Sequence, residues 1–267
     1  MANEILINQS LIKDLLKYEN EELCGLVFTH KWVFKNFGKT SLAKNLGHYF
    51  EFLATGSLPK SGDIPKKEET KPYLIVEKQV EYLKYLFTQK SINIIQKGYD
   101  IEIHKKWIGT LDIVAEWEDA FKLEDVYLDP KNKSFQVIID LKYSGLLDDK
   151  YSEFGWQEDS LQNNKKTLLQ AIHYKFLYWK KFGINVPFFF FVFDAKKPKY
   201  AKIIHVSISD DDLAEHEMFL NKAKAYFDNQ MKLGFKPKPE YSRCISCDYL
   251  DMCMFKEDIP QVININL

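Results

Sequence analysis

From Pro187 to Phe193 the chain is apolar at every position. Successive side chains of a strand point to opposite faces, so such a run must be covered on both sides. It therefore belongs at the centre of a layered α/β domain, with the proline at its edge. Lys199 to Ser207 predicts a further strand after it, and Phe135 to Lys142 predicts one before it.

The rest of the chain supplies the covering layers. Ser10 to Asn20 predicts a short helix, with Leu11, Ile12, Leu15 and Leu16 at helical spacing. Trp32, Val33, Phe34 and Phe37 predict a buried aromatic segment. Ser41 to Thr55 predicts a second helix, striped by Leu42, Leu46, Phe50 and Leu53. Gly56 to Pro72, rich in Gly, Pro, Ser and Lys, predicts a loop or lid. Lys78 to Ile95 predicts a helix through Val80, Leu83, Phe87 and Ile94. Ile101 to Trp107 and Gly109 to Trp117 predict a hairpin, and Asp129-Pro130-Lys131-Asn132 a turn. Tyr143 to Asp159 predicts a long polar loop beside the functional site. Asn163 is the expected N-cap of the helix that follows. Ser209 with Asp210, Asp211 and Asp212 caps a long helix ending near Gly234.

With 267 residues, 46% of them hydrophobic and 15% aromatic, the chain is globular rather than disordered. It contains no internal repeat or low-complexity tract. Its longest apolar run, Val186 to Phe193, is too short to span a membrane. Met1-Ala2-Asn3-Glu4 lacks the basic and apolar regions of a secretory signal, so a cytoplasmic protein without membrane association is expected. A net charge of −1 argues against wholesale polyelectrolyte binding but leaves room for a local basic groove. Lys165-Lys166, Lys180-Lys181, Lys196 to Lys202 and Lys232 to Lys238 are the candidates, each otherwise a solvated face.

Three short patterns carry chemistry. In Ile138-Ile139-Asp140-Leu141-Lys142, alternation places Asp140 and Lys142 on one face of the strand. In Gly109-Thr110-Leu111-Asp112, the same alternation groups Thr110, Asp112 and Val114. If the strands pair, Asp112 approaches Asp140. Close carboxylates repel unless a proton or cation lies between them, and a hard divalent ion suits oxygen ligands. Lys142 is placed to orient a water or neutralise developing charge. Gln170 and Tyr174, four apart, share a helix face. The plain alternative is an ion-paired strand end.

The order GxxD, DxK and QxxxY resembles the RecB-like branch of the PD-(D/E)XK nuclease superfamily, which includes phage and CRISPR-associated exonucleases. That resemblance implies an α/β fold with a restriction-endonuclease-like core: a central mixed sheet flanked by helices, here spanning 39–208. Residues 1–38 and 209–267 then form N- and C-terminal segments. It implies a Mg²⁺- or Mn²⁺-dependent deoxyribonuclease acting on DNA in recombination, repair or phage DNA processing. Asp112, Asp140 and the Leu141 carbonyl would hold the metal, and Lys142, Gln170 and Tyr174 would complete the catalytic set. A further motif lies upstream in such nucleases, at a position similar to Gly47-His48-Tyr49-Phe50-Glu51. Glu51 is the first choice there and His48 the second. A protein partner from a recombination, CRISPR or phage system fits the same resemblance. Oligomeric state is not legible.

The cysteines are Cys24, Cys244, Cys247 and Cys253. In a reducing compartment such a set favours metal over disulfides. Four thiolates hold zinc or an iron–sulfur cluster, and spacing does not separate the two. One N-terminal cysteine with a C-terminal CxxC and a last cysteine is similar to cluster-bearing nucleases of the AddB and CRISPR-adaptation type. The resemblance implies a structural 4Fe–4S cluster joining the two terminal segments, with Zn²⁺ as the alternative. Two rival functions are a non-catalytic nuclease-fold DNA-binding subunit and an iron–sulfur DNA-binding regulator.

Overall fold

A computed structural model describes residues 5–38, 40–58, 70–120, 135–149, 152, 155–157 and 165–254. The chain divides into two compact units, Ser41–Glu217 and Met1–Thr40 with Met218–Leu267.

In the larger unit, helices α3 (Leu42–Thr55) and α4 (Lys71–Gln89) precede strands β1 (Asn93–Ile103), β2 (Trp107–Glu116) and β3 (Gln136–Ser144). Helix α5 (Lys165–Phe182) then leads to β4 (Phe188–Asp194) and β5 (Ala201–Val206), and α6 (Asp210–Leu233) follows. The strands form one sheet in sequence order. Only β3 and β4 pair in parallel, the other neighbours being antiparallel. A parallel pair needs a crossover, and α5 supplies it.

The apolar run Phe188–Phe193 is completely buried, as its two-faced character requires. Phe189, Phe191 and Phe193 join Ile113, Ala115, Ile139 and Leu141 in a core covered by Leu46, Phe50, Val76, Val80, Leu83 and Phe87 of α3 and α4. Phe188 and Phe190 belong to the opposite face, where their rings meet edge to face at 5.0 Å and Trp156 closes on Phe190 at 5.4 Å. Truncating any one of these phenylalanines to alanine costs about 3–5 kcal/mol.

Local chemistry sets several helix ends. Ser41 caps α3 by accepting from the Lys44 N–H at 3.3 Å, and Gly56, at φ +83°, ends it in a conformation that glycine adopts without strain. Ser209 and Asp212 cap α6 reciprocally: the Asp212 N–H donates to Ser209 Oγ at 3.1 Å, and Ser209 N–H donates to Asp212 Oδ2 at 2.8 Å. One buried side chain ties a surface turn down. Gln79 Nε2 donates to the carbonyls of Asp194, Lys197 and Tyr200 at 2.7, 2.9 and 3.3 Å, while its Oε1 accepts from the Lys199 N–H at 3.0 Å.

Several expectations need correction. The helix expected over 78–95 runs Lys71–Gln89 instead, and Ile94 and Ile95 lie in β1. The break falls at Ser91, with φ +53°, after which β-branched residues favour a strand. The hairpin turns at His104 and Lys105, both at positive φ, so Trp107 opens β2 rather than closing β1. The aromatic segment after Trp32 is not buried, since Phe34 and Phe37 are exposed. Leu42 is exposed too, and Leu46, Tyr49, Phe50 and Ala54 make the buried stripe of α3. The turn at 129–132, the Asn163 cap and most of the 56–72 loop lie outside the described residues.

The smaller unit contains α1 (Gln9–Glu19), α2 (Gly25–Trp32), the latter part of α6, and a short helix α7 (Tyr241–Cys244). Asn8 caps α1 by accepting from the Leu11 N–H at 2.9 Å. Phe28 stacks on Phe235 at 4.3 Å, with Tyr18 and Phe227 around them. Gly25 sits against the Lys236 carbonyl, where a Cβ would overlap it. Half-buried Lys31 and buried Trp32 both donate to Asp14, at 2.6 and 2.9 Å. Among the described residues no helix is long and apolar enough to cross a membrane.

Candidate active site

The β2–β3 ladder runs from Glu116↔Gln136 to Ile113↔Ile139. One rung further out, Asp112 stands opposite Asp140. By alternation both share the face of Val114 and Ile138, away from the α3–α4 core. Both are buried, Asp112 at 8% exposure and Asp140 at 1%. The Leu141 N–H donates to Asp112 Oδ2 at 2.7 Å, so this carboxylate takes up a backbone donor beyond the last ladder rung. Lys142 forms an ion pair with Asp140, and its Nζ also lies 3.4 Å from the Leu141 carbonyl and 5.7 Å from the Phe190 ring centroid.

Helix α5 closes the site. Gln170 Nε2 donates to Asp140 Oδ1 at 3.0 Å. Tyr174 lies close by, and Gly109 shows how tightly the helix approaches β2: a Cβ there would meet Leu177 Cδ1 at 2.7 Å and the Tyr174 ring at 3.1 Å. Glycine is favoured at this point of the GxxD pattern because a methyl there would have to displace the Leu177 and Tyr174 side chains.

The electrostatics follow from this crowding. Burial first, then the charges of Asp140 and Glu51, push the Asp112 pKa well above the usual carboxylate value, against the pull of Lys142 and the Leu141 N–H. Burial works against the charge on Lys142, but Asp140, Asp112 and Glu51 outweigh it and raise its pKa above the lysine norm. Burial, then Asp140 and Asp112, raise the Tyr174 pKa well above the phenol value, so Tyr174 is a neutral hydrogen-bonding group and not a base. Glu51 acts on all three of these groups. His48 is instead shifted down, by burial and by Lys44.

The structure thus brings Asp112, Asp140, Lys142, Gln170, Tyr174 and the Leu141 backbone together, with Glu51 within electrostatic reach. Among the described residues no three His, Cys, Asp or Glu side chains meet as a ready-made metal cage. The Lys142 ammonium provides the positive charge beside Asp140 in this conformation.

Sequence reasoning missed a pair of buried histidines, His173 on α5 and His216 on α6. His173 Nε2 lies 3.3 Å from the Ile108 carbonyl, and His216 Nε2 lies 3.4 Å from His173 Nδ1. Their positions in sequence gave no sign of the pairing, since 43 residues separate them.

The basic candidates are mostly engaged. Lys180 pairs with Glu217 at 2.7 Å, Lys181 lies over the Tyr99 ring, and Lys197 and Lys202 both pair with Asp148. Past the ends of β3 and β4, a cleft of about 600 Å³ is lined by Gly145, Leu146, Asp148, Asp194, Lys196 and Lys197 among others. In the smaller unit, Lys238 pairs with Glu21 at 2.7 Å.

The four cysteines all lie in the smaller unit and are free thiols. Cys24 Sγ accepts from the Lys238 N–H at 3.2 Å. Burial raises the Cys247 pKa, a Tyr249 N–H bond opposes that, and Cys244, Cys24 and Cys253 each raise it further. All three other sulfurs are therefore close enough for their charge to act on Cys247.

A mixed five-stranded sheet flanked by helices, with paired acids and a lysine at its parallel–antiparallel junction, defines an α/β fold. No protein-family model and no curated protein matches the sequence. Among solved structures, the chain is similar to a protein from Eubacterium rectale named as a candidate exonuclease, with a TM-score of 0.61 and 18% sequence identity. The match covers 99% of this chain and 92% of the other, so the likeness is one of whole fold.

Proposed function

We propose that the protein is a metal-dependent deoxyribonuclease of the PD-(D/E)XK type, in the RecB-like branch. One observation carries this reading. Two buried carboxylates, Asp112 and Asp140, face each other with Glu51 in range, and burial together with the charges of Asp140 and Glu51 lifts the Asp112 pKa well above normal. A buried site that repels itself in this way is suited to a hard cation. The chemistry of the donors suits Mg²⁺ or Mn²⁺: Asp112, Asp140 and the Leu141 carbonyl would hold the ion, and Glu51, now only within electrostatic reach, would close on it. When bound, such an ion lowers the pKa of water and draws charge from a phosphate oxygen.

The chain's own groups have separate tasks. Lys142 holds a positive charge beside Asp140, where it orients a water and offsets charge on the phosphate. Gln170 fixes the orientation of the Asp140 carboxylate, and the Tyr174 phenol donates without ionising. The structural neighbour's name favours end-directed cleavage. DNA is the proposed substrate, and a protein partner from a recombination, CRISPR or phage system remains part of the proposal.

The smaller unit is proposed to hold a 4Fe–4S cluster on Cys24, Cys244, Cys247 and Cys253, with Zn²⁺ as the alternative. The charge that Cys244, Cys24 and Cys253 exert on Cys247, and N–H bonds to Cys24 and Cys247, support a thiolate site. Anaerobic purification separates the two: iron and sulfide with a brown chromophore are expected, and stoichiometric zinc alone would replace the cluster.

Incubation with end-labelled linear DNA and with circular DNA in Mn²⁺ tests the enzyme. Wild type should degrade the linear substrate, and Lys142→Ala should lose about 10²–10³-fold in rate. Binding of DNA without hydrolysis by wild type would establish the binding-subunit reading instead. Affinity that depends on the cluster, again without hydrolysis, would establish the regulator.

A further inference from the structure

We propose that His173 is a positioning residue: it bolts the helix bearing Gln170 and Tyr174 to the strand bearing Asp112, and so fixes how far apart the two carboxylates stand. This rests on the metal-dependent reading above.

Three consecutive contacts run along α5 where it meets the active strands. Gln170 donates to Asp140 on β3 at 3.0 Å. His173, with no exposed surface, reaches the Ile108 carbonyl on β2 at 3.3 Å. Tyr174 and Leu177 press on Gly109, the next residue of β2, so closely that an added Cβ would have to displace their side chains. The histidine therefore binds at the point of closest approach between helix and strand. One helix thereby reaches both acid-bearing strands, Asp140 through Gln170 and the Asp112 strand through His173.

The tautomer follows from the partners. A carbonyl can only accept, so His173 Nε2 carries the proton and Nδ1 is left as an acceptor. His216 Nε2 then donates to that Nδ1 across 3.4 Å. The His216 pKa of about 3, lowered by burial and then by His173, agrees with a neutral pair. Two imidazoles thus form a directed chain ending on the β2 backbone. Partners that orient a liganding group typically change metal affinity or activity by about 10–100-fold when removed.

A histidine that only filled the core would affect melting temperature alone. A positioning residue also affects metal affinity, and an isofunctional donor should rescue it. The experiment measures the Mn²⁺ concentration giving a half-maximal rise in melting temperature, together with the cleavage rate, for wild type and three variants. His173→Gln keeps an N–H able to reach the Ile108 carbonyl and should stay within about threefold of wild type. His173→Phe keeps the volume without the donor and should need about tenfold more Mn²⁺. His173→Asn, whose amide is too short, should behave like the phenylalanine variant and serves if that variant does not fold. Wild-type Mn²⁺ affinity in His173→Phe or His173→Asn overturns the positioning role and leaves the nuclease reading standing. Absence of any Mn²⁺ response in wild type overturns the metal reading and this inference with it.

Discussion

Gln170 and Asp140 are joined by a 3.0 Å hydrogen bond in which an amide on a crossover helix donates to a carboxylate on the strand that the helix leaves behind. The bond leaves Asp140 Oδ2 facing Lys142. Replacing the amide by an apolar side chain of similar length, Gln170→Met, should leave the fold intact and lower the cleavage rate by about 10–100-fold. Steady-state rates on a linear DNA substrate, with circular dichroism as the folding control, measure this.

Asp112 illustrates a cost of the site. Its folded pKa is raised, so in the absence of metal the folded state holds a proton that the unfolded state releases as pH rises above the ordinary carboxylate value. Metal-free stability should therefore fall with rising pH through that range. Asp112→Asn removes the titration and should raise the metal-free melting temperature, each kcal/mol being worth about 2–4 °C in a chain of this size. The same variant should lose DNA cleavage and Mn²⁺ stabilisation. Differential scanning calorimetry at pH 5 and pH 8 compares the two proteins.

Gly109→Ala places a methyl group against Leu177 and Tyr174. Overpacking there should cost about 1–3 kcal/mol and weaken cleavage, because the Leu177 and Tyr174 side chains must shift beside the site. Urea denaturation gives the stability change and a cleavage assay the functional one.

The acidic limb of stability should be governed in part by His216. Burial and His173 depress its folded pKa to about 3. Below about pH 6.5 the unfolded chain gains a proton that the folded chain refuses, so stability declines from there and levels off near pH 3. The full loss approaches about 4–5 kcal/mol at 1.36 kcal/mol per pKa unit. His216→Phe should flatten the dependence of melting temperature on pH between 6.5 and 4. An unchanged profile in that variant would assign the acid sensitivity elsewhere.

The parts of the molecule legible in the sequence are those governed by neighbours along the chain. Alternation alone placed Asp140 with Lys142, and the two-faced apolar run at Phe188–Phe193 gave the central strand. Helical spacing placed Gln170 beside Tyr174. What the sequence concealed depends on contacts across space. The first half of β1 was hidden because the apolar spacing of α4 carries on smoothly across Ser91 into Ile94. The hairpin turn was hidden because His104 and Lys105 adopt positive φ without a glycine to announce it. The His173–His216 pair joins two helices whose order in the chain says nothing of their meeting.

The Gln79 amide is spent entirely on the backbone of residues 194–200, a segment whose outer side is open to water. The Lys199 N–H, which donates to Gln79 Oε1, should consequently trade its hydrogen for deuterium on the schedule of the protein's interior. A bend that looks peripheral by location is thereby made to unfasten only when the helix beneath it does.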